Sequence, residues 1–299
     1  MVFNHLIGVR FPVGPPKPMK LLRIGNLGQE KPAIVDKNGI FRDLSSIIKD
    51  LNPETLNLKL IDTIKNCKVE NLPEIPNKTR IGACVSNPQK FIGIGLNYKA
   101  HAKETNANAP EEPIVFFKAN SSINGPYDNV YLPKDSKKSD WEVELGVIIG
   151  KEAKNISKDK SLEHIFGYCI VNDISEREYQ LERSNGQWDK GKAFDTFGPL
   201  GPFIVTKDEI KNIQNLNLEL KLNDTVMQSG NTKNMMFSVE HIVSYLSFFM
   251  TLKPGDIITT GTPPGCGIGR EPQIFLKSGD EMLLKIDNLG MQKQKVFSK

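Results

Sequence analysis

The sequence predicts a strand-rich α+β fold. Three observations carry this: most apolar runs are short and β-branched or alternating, Gly, Pro, Asn and Asp bound them, and only one long segment repeats its apolar residues at helical spacing. With 299 residues, 38% hydrophobic and 25% charged, the chain can bury a sizeable core, and its composition excludes a disordered or collagen-like protein. Residues 1–18, with four prolines and no sustained period, read as a poorly ordered extension ending before Met19, a candidate alternative start. Residues 19–85 read as a small N-terminal β domain. Asn38-Gly39 between Ala33-Ile34-Val35 and Ile40-Phe41 signals a hairpin, and Leu56, Leu60, Ile61 and Ile64 recur at helical spacing. Prolines 73, 76 and 88 mark the way to a larger domain over residues 90–299.

In that larger domain, residues 91–96, 114–117, 141–149, 168–174, 216–222, 256–260 and 281–286 read as strands. Residues 238–250 read as the clearest helix, with Ser238 as N-cap and Val239, Ile242, Val243, Leu246, Phe249 and Met250 facing the core. Lysine and arginine total 39 against 35 acidic residues, with the signs mixed along the chain. No basic arm is set aside for nucleic acid, so none is expected as a partner. Cys67, Cys84, Cys169 and Cys266 form no Cys-x-x-Cys pair, and no apolar window is long enough for a membrane helix or a signal peptide. A reducing cytoplasm is the expected setting, with no membrane partner.

The residue pattern offers several chemical groups. In Trp141-Glu142-Val143-Glu144-Leu145 the strand period sends Trp141, Val143 and Leu145 to one face and both glutamates to the other. Two carboxylates side by side either form a solvated face or hold a hard divalent cation such as Mg²⁺ or Mn²⁺. Asp173 closes the apolar run Tyr168-Cys169-Ile170-Val171-Asn172, either as a third ligand or as the start of an Asx turn. His101 and Glu104 stand three apart, as a surface ion pair or as a general base with a carboxylate orienting its ring. Gly93-Ile94-Gly95 follows a strand, but Tyr98 occupies the third-glycine position of a dinucleotide fingerprint, which excludes a Rossmann site. The run from Gly261 to Gly269 reads as a rigid loop, either a plain connection or a backbone able to approach a ligand closely.

Taken together, the segments resemble the fumarylacetoacetate hydrolase family. The resemblance rests on Gly95-Leu96-Asn97-Tyr98 with His101 and Glu104; Phe116-Phe117-Lys118 with Ser121 and Ser122; and Asp140-Trp141-Glu142-Val143-Glu144-Leu145. It continues through Asn172-Asp173 with Arg177 and Gln180, Gly191-Lys192-Ala193-Phe194-Asp195-Thr196, and Pro254-Gly255-Asp256 leading to Gly261-Thr262-Pro263. Gly186-Gln187-Trp188-Asp189-Lys190-Gly191-Lys192 is similar to the wording of the 2,4-diketo-3-deoxy-L-fuconate hydrolase and ureidoglycolate lyase group. The resemblance implies a mixed β-sandwich roll, commonly a homodimer, and a Mg²⁺ site (Mn²⁺ as alternative) held by Glu142, Glu144 and Asp173. Longer members carry another acidic ligand upstream of Glu142; no equivalent is placed here, which leaves that position to water.

By position, the resemblance makes His101 and Glu104 the base pair, on a segment that closes over substrate. It sets Lys192 beside the substrate, Thr196 near the metal, and Arg177, Gln180 and Thr262 against substrate or behind the ligands. Residues 119–131 and 180–190 are expected to line the distal pocket. The implied reaction is hydrolysis of a C–C bond in a 2,4-dioxo acid, best matched by 2,4-diketo-3-deoxy-L-fuconate, to pyruvate and a second acid. Oxaloacetate decarboxylation, ureidoglycolate cleavage and hydroxydienedioate isomerisation use the same kind of site, and a β-rich binding protein with a structural cation is the reading outside enzymes.

Overall fold

A computed structural model describes residues 19–298; the expected extension, residues 1–18, lies outside them. The principal strands are β1 (Lys20–Ile24), β2 (Lys31–Val35), β3 (Phe41–Asp43), β4 (Phe91–Gly95), β5 (Ile114–Phe117), β6 (Val130–Leu132) and β7 (Val143–Ile149). They continue with β8 (Ile165–Asn172), β9 (Gly198–Thr206), β10 (Asn217–Leu222), β11 (Thr225–Asn231), β12 (Ile257–Thr259), β13 (Glu281–Ile286) and β14 (Gly290–Ser298). The helices are α1 (Leu58–Lys65), α2 (Lys99–Glu104), α3 (Asp189–Lys192) and α4 (Val239–Phe249). The expected strand-rich α+β class is what the chain adopts.

Two sheets form the body. The large mixed sheet runs β3-β2-β1-β9-β8-β7-β12-β4-β5, and the smaller runs β11-β10-β13-β14-β6. The strands of the N-terminal segment extend the large sheet, because β1 pairs antiparallel with β9, Leu21 opposite Ile204. Alternation along the large sheet sorts its two faces. Leu22, Val143, Leu145, Val147, Ile170 and Val205 face the small sheet, with Leu218, Leu220, Met282, Leu284 and Val296, and the buried stripe of α4. Leu21, Ile34, Ile148, Cys169, Val171 and Ile204 face the other way, onto Leu60, Ile61 and Ile64 of α1.

Pairing direction decides where chemistry collects. β4 and β12 run parallel, with Thr259 beside Gly93, while β7 runs against β12 and β8 against β7. The ends of β4, β12 and β8 and the start of β7 therefore meet at one end of the sheet. Asn97, fully buried, fixes this corner: its amide nitrogen donates to Phe237 O at 3.0 Å and Thr260 O at 2.8 Å, and its oxygen accepts from Phe237 N at 2.8 Å. It thus joins the segment after β4, the end of β12 and the approach to α4. Asn97→Ala takes its side-chain partner from the buried Thr260 carbonyl and from two half-buried Phe237 groups and is expected to cost about 2–3 kcal/mol, read as a lower urea midpoint at unchanged slope.

Candidate metal centre and catalytic site

Glu142 lies just before β7, Glu144 inside it and Asp173 just after β8; all three are buried, so the solvated-face reading of the glutamate pair does not hold. One carboxylate oxygen from each comes within 4.8 Å of the others. Burial of three acids requires partners, and three cations supply them. Arg177 Nη2 donates to Glu142 Oε1 at 2.6 Å and its Nε donates to Asp140 Oδ2 at 2.9 Å. Lys192 Nζ, itself buried, donates to Glu142 Oε2 at 2.9 Å and Asp173 Oδ2 at 2.7 Å. Lys118 Nζ stands 2.7 Å from Asp173 Oδ1 and donates to the Lys192 and Ile174 carbonyls.

Glu144 is treated differently. Its Oε2 accepts from Thr259 Oγ1 at 2.5 Å and from Gly261 N at 2.8 Å, but among the described residues no lysine or arginine forms an ion pair with it. Desolvation, and then the charges of Asp173 and Glu142, push its pKa well above the carboxylate range. Burial also opposes ionisation of Glu142, yet Lys192 and Arg177 outweigh it and hold that group far below its ordinary value. Counting Glu104 and Asp140, five carboxylates meet Arg177, Lys192 and Lys118, the last with a charge that burial disfavours, so with the His101 ring neutral full ionisation leaves at least two negative charges uncovered. One divalent ion would supply that charge. Oxygen-only donors, this balance and the uncompensated Glu144 all fit a hard cation such as Mg²⁺ or Mn²⁺. Cys266 Sγ also lies within 4.8 Å of His101 and Glu142 ligand atoms, but burial raises its pKa, and a protonated thiol is a weak ligand.

The proposed base faces this cluster. His101 on α2 is 5% exposed, which removes the surface-pair reading. Its Nδ1 lies 2.8 Å from Glu104 Oε1, and the Gly265 N–H donates to both Glu104 oxygens, at 3.0 and 2.8 Å. The segment expected to close over substrate is thus already seated on the glycine loop. Two glycines of that loop make room for protein and not for a ligand: a Cβ at Gly267 would stand 1.8 Å from Ile274 O, and one at Gly269 would stand 2.6 Å from Glu104 Cγ.

A cavity of about 130 Å³ opens onto these groups, with His101, Glu142, Glu144, Arg177, Gln180, Lys192 and Thr262 in its lining. That is room for a few waters, so for a small acid. Arg177 spends its donors on Asp140, Glu142 and Gln180 Oε1, and Thr262 Oγ1 is held between Val143 O and Gln228 Nε2. Both are set to support the site, while Gln180 keeps its amide NH₂ for the cavity. Thr196 Oγ1 accepts from Tyr131 N at 3.0 Å.

Of the two segments expected to line the distal pocket, 180–190 contributes Gln180, Leu181 and Trp188, but none of the lining comes from 119–131. Ile94, Leu96, Thr105, Ala107, Phe116 and Ile268 do so instead. Sequence reasoning assigned no role to Asp140 or Lys118, although both stand inside the quoted motifs. Asp140 accepts from Gly267 N at 2.7 Å, Ile268 N at 3.0 Å and Arg177, tying the loop to the ligand strand. Their signal was a charged residue beside aromatic or apolar neighbours. A second, wider hollow beside α4, about 400 Å³, has His241 and Tyr245 among its walls but no carboxylate.

The family model for the fumarylacetoacetate (FAA) hydrolase C-terminal domain matches residues 90–297. A Burkholderia ambifaria protein described only in general terms as a hydrolase is 52% identical over 277 residues, covering 92% of this chain and 98% of its own. Among solved structures, a fumarylacetoacetate hydrolase from psychrophilic Exiguobacterium antarcticum is similar at TM-score 0.82 and 32% identity, over 94% of this chain and 100% of its own. Maleylpyruvate hydrolase from Sphingobium sp. SYK-6, in complex with manganese(II) and pyruvate, is similar at TM-score 0.78 and 26% identity, over 94% and 99%. A 2-hydroxyhepta-2,4-diene-1,7-dioate isomerase from Mycobacterium marinum is similar at TM-score 0.75 and 30% identity, over 94% and 99%.

Two variants test the electrostatics. Arg177→Met strands Asp140 as a buried charge without a cation and leaves Glu142 to Lys192 alone, and is expected to lower unfolding stability by about 3–5 kcal/mol. Glu144 has a raised folded pKa, so its ionisation costs stability as pH rises; Glu144→Gln removes that cost. At neutral pH the metal-free Glu144→Gln variant should melt higher than the native protein. It should also lose the stabilisation that Mn²⁺ gives the native chain, about 2.7 kcal/mol at a hundred times the dissociation constant.

Proposed function

The chain belongs to the fumarylacetoacetate hydrolase family and is an enzyme of it; we propose that it hydrolyses a carbon–carbon bond in a 2,4-dioxo acid, releasing pyruvate and a second carboxylic acid. The observation that carries this reading is the His101–Glu104 pair and the Glu142–Glu144–Asp173 cluster opening onto one small cavity. The manganese and pyruvate bound by the Sphingobium relative support it. Within the class, 2,4-diketo-3-deoxy-L-fuconate is the first substrate to try, with lactate as its second product. We infer Mg²⁺, with Mn²⁺ as substitute, as the cation held by Glu142, Glu144 and Asp173, and a cytoplasmic homodimer as the working form.

Bound there, the cation would polarise the carboxylate and keto oxygens of a 2-oxo acid. The protein's own groups do the rest. His101 takes a proton from a water whose oxygen bonds to C4, and Glu104, engaged at Nδ1, stabilises the charged ring. The C3–C4 bond then breaks, its electron pair passing into the pyruvate fragment, and the proton returned to C3 completes pyruvate while C4 leaves as the new carboxyl. Lys192 has three ammonium hydrogens and gives two to Glu142 and Asp173. The third is available to the oxygen on which negative charge develops. Arg177 and Thr262 act as positioning residues through their protein partners.

The test is pyruvate release from a panel of 2,4-dioxo acids with oxaloacetate alongside, with Mg²⁺ and with chelator. Metal-dependent cleavage with recovery of both acids is expected; activity on oxaloacetate alone would move the site to decarboxylation. His101→Asn should lower turnover by about 10² to 10⁴-fold while the Mn²⁺-induced rise in melting temperature stays intact. Unchanged turnover would remove His101 from the mechanism.

A further inference from the structure

The cavity has two unlike ends. Beyond Lys192, whose ammonium lies 4.8 Å from the Phe116 ring centroid, the wall turns apolar: Phe116 packs on Trp188 at 5.9 Å between centroids, and Ile94, Leu181 and Ile268 continue it. The strand below is cut to fit these rings, since a Cβ at Gly93 would stand 2.1 Å from the Phe116 ring and one at Gly95 would stand 2.3 Å from Trp188. The two cations in the lining, Arg177 and Lys192, belong to the carboxylate end, where each is engaged by buried acids. Among the described residues, the apolar wall offers no cation to a substrate's far end.

We propose that this wall selects 2-oxo acids with an uncharged, apolar tail and rejects those ending in a second carboxylate. The proposal deepens the reading of the site as a 2-oxo acid pocket and rests on it. It also separates this chain from relatives named for dicarboxylates, such as the 1,7-dioate isomerase. A carboxylate pressed against Phe116, Trp188 and Ile268 would lose its water and gain no counter-ion, whereas a methyl or phenyl end would gain buried contact.

The test uses two acids of equal chain length, 2-oxohexanoate and 2-oxoadipate, which differ by a terminal methyl against a carboxylate. Neither has a 4-oxo group, so titration calorimetry with the Mn²⁺-loaded protein reads binding apart from cleavage. 2-Oxohexanoate should bind about tenfold more tightly or better. Leu181→Arg, at a half-exposed position (48%) that accepts a long side chain, should bring the two acids to within about threefold by supplying the missing cation. Trp188→Ala should weaken 2-oxohexanoate about tenfold and leave pyruvate, which has no tail, unchanged. Equal binding, tighter 2-oxoadipate or no binding of 2-oxohexanoate overturns the inference. If 2-oxohexanoate is preferred but no 2,4-dioxo acid is cleaved, the hydrolase reading falls and the tail selection stands.

Discussion

Three carboxylates buried at one end of a sheet are the constraint around which this protein is arranged. Ionised acids out of water are tolerated only when every lone pair is met by a donor or a cation, and removal of one partner costs more than the pair contributes. The chain meets that demand from many directions: Arg177 after the short strand Ser175–Glu176, Lys192 from α3, Lys118 just past β5, and the Thr259 and Gly261 donors at the end of β12. Each comes from a separate stretch of sequence, so the cluster cannot form until the sheet has its pairing. The uncovered charge falls on Glu144, which has no ion pair among the described residues, and on Glu104, whose partner is His101. A divalent ion placed there would complete the electrostatics of the site.

The small sheet serves the same end by a neutral route. The ligand strands leave regular pairing where the site begins, and the backbone groups released there would otherwise be buried unpaired. Glutamine and asparagine amides fill the gaps. Gln228 on β11 accepts from Val143 N and donates to Thr262 and Pro263; Gln292 on β14 donates to Ile170 and Gly201 carbonyls. Gln294 in turn meets Asn172, whose side-chain oxygen accepts from Glu142 N. The sandwich core is therefore apolar through its middle and amide-lined beneath the site. The ligand strand is held in register by groups that carry no charge and do not compete for the cation.

This division explains what could be read from the sequence. Elements with a period were legible: residues 114–117 and 281–286 match β5 and β13, and Ser238 caps α4 by accepting from His241 N. β9 was not, because Gly198-Pro199-Leu200-Gly201-Pro202 reads as turn punctuation, and only its place between β1 and β8 makes it a strand. β14 was missed for a related reason, since Gln292 and Gln294 look like solvent-facing residues until the network claims them. At the site, Glu142, Glu144 and Asp173 were legible because acids in apolar strands demand an explanation. Asp140 and Lys118 passed unassigned because a charged residue beside aromatic neighbours, their one local signal, does not say which partner the fold will bring to it. Trp188 and Phe116 meet only through the fold.

Glu104 shows why the base and the cation cluster should be regarded as one unit. Its carboxylate orients His101 through Nδ1, and the same oxygens accept the Gly265 N–H, so the helix bearing the base is fastened to the loop that follows β12. Through Gly267 and Ile268 that loop is fastened to Asp140, Asp140 to Arg177, and Arg177 to Glu142. Charge-assisted hydrogen bonds, joined by the loop backbone from Gly265 to Gly267, thus link the proposed base to a proposed metal ligand. Such bonds are short and directional, and they fix distance better than apolar packing does. In the proposed hydrolysis, the spacing between the water to be deprotonated and the carbonyl to be attacked would be set by protein groups that are in place before any substrate arrives, which is the condition under which a positioned base acts with effect.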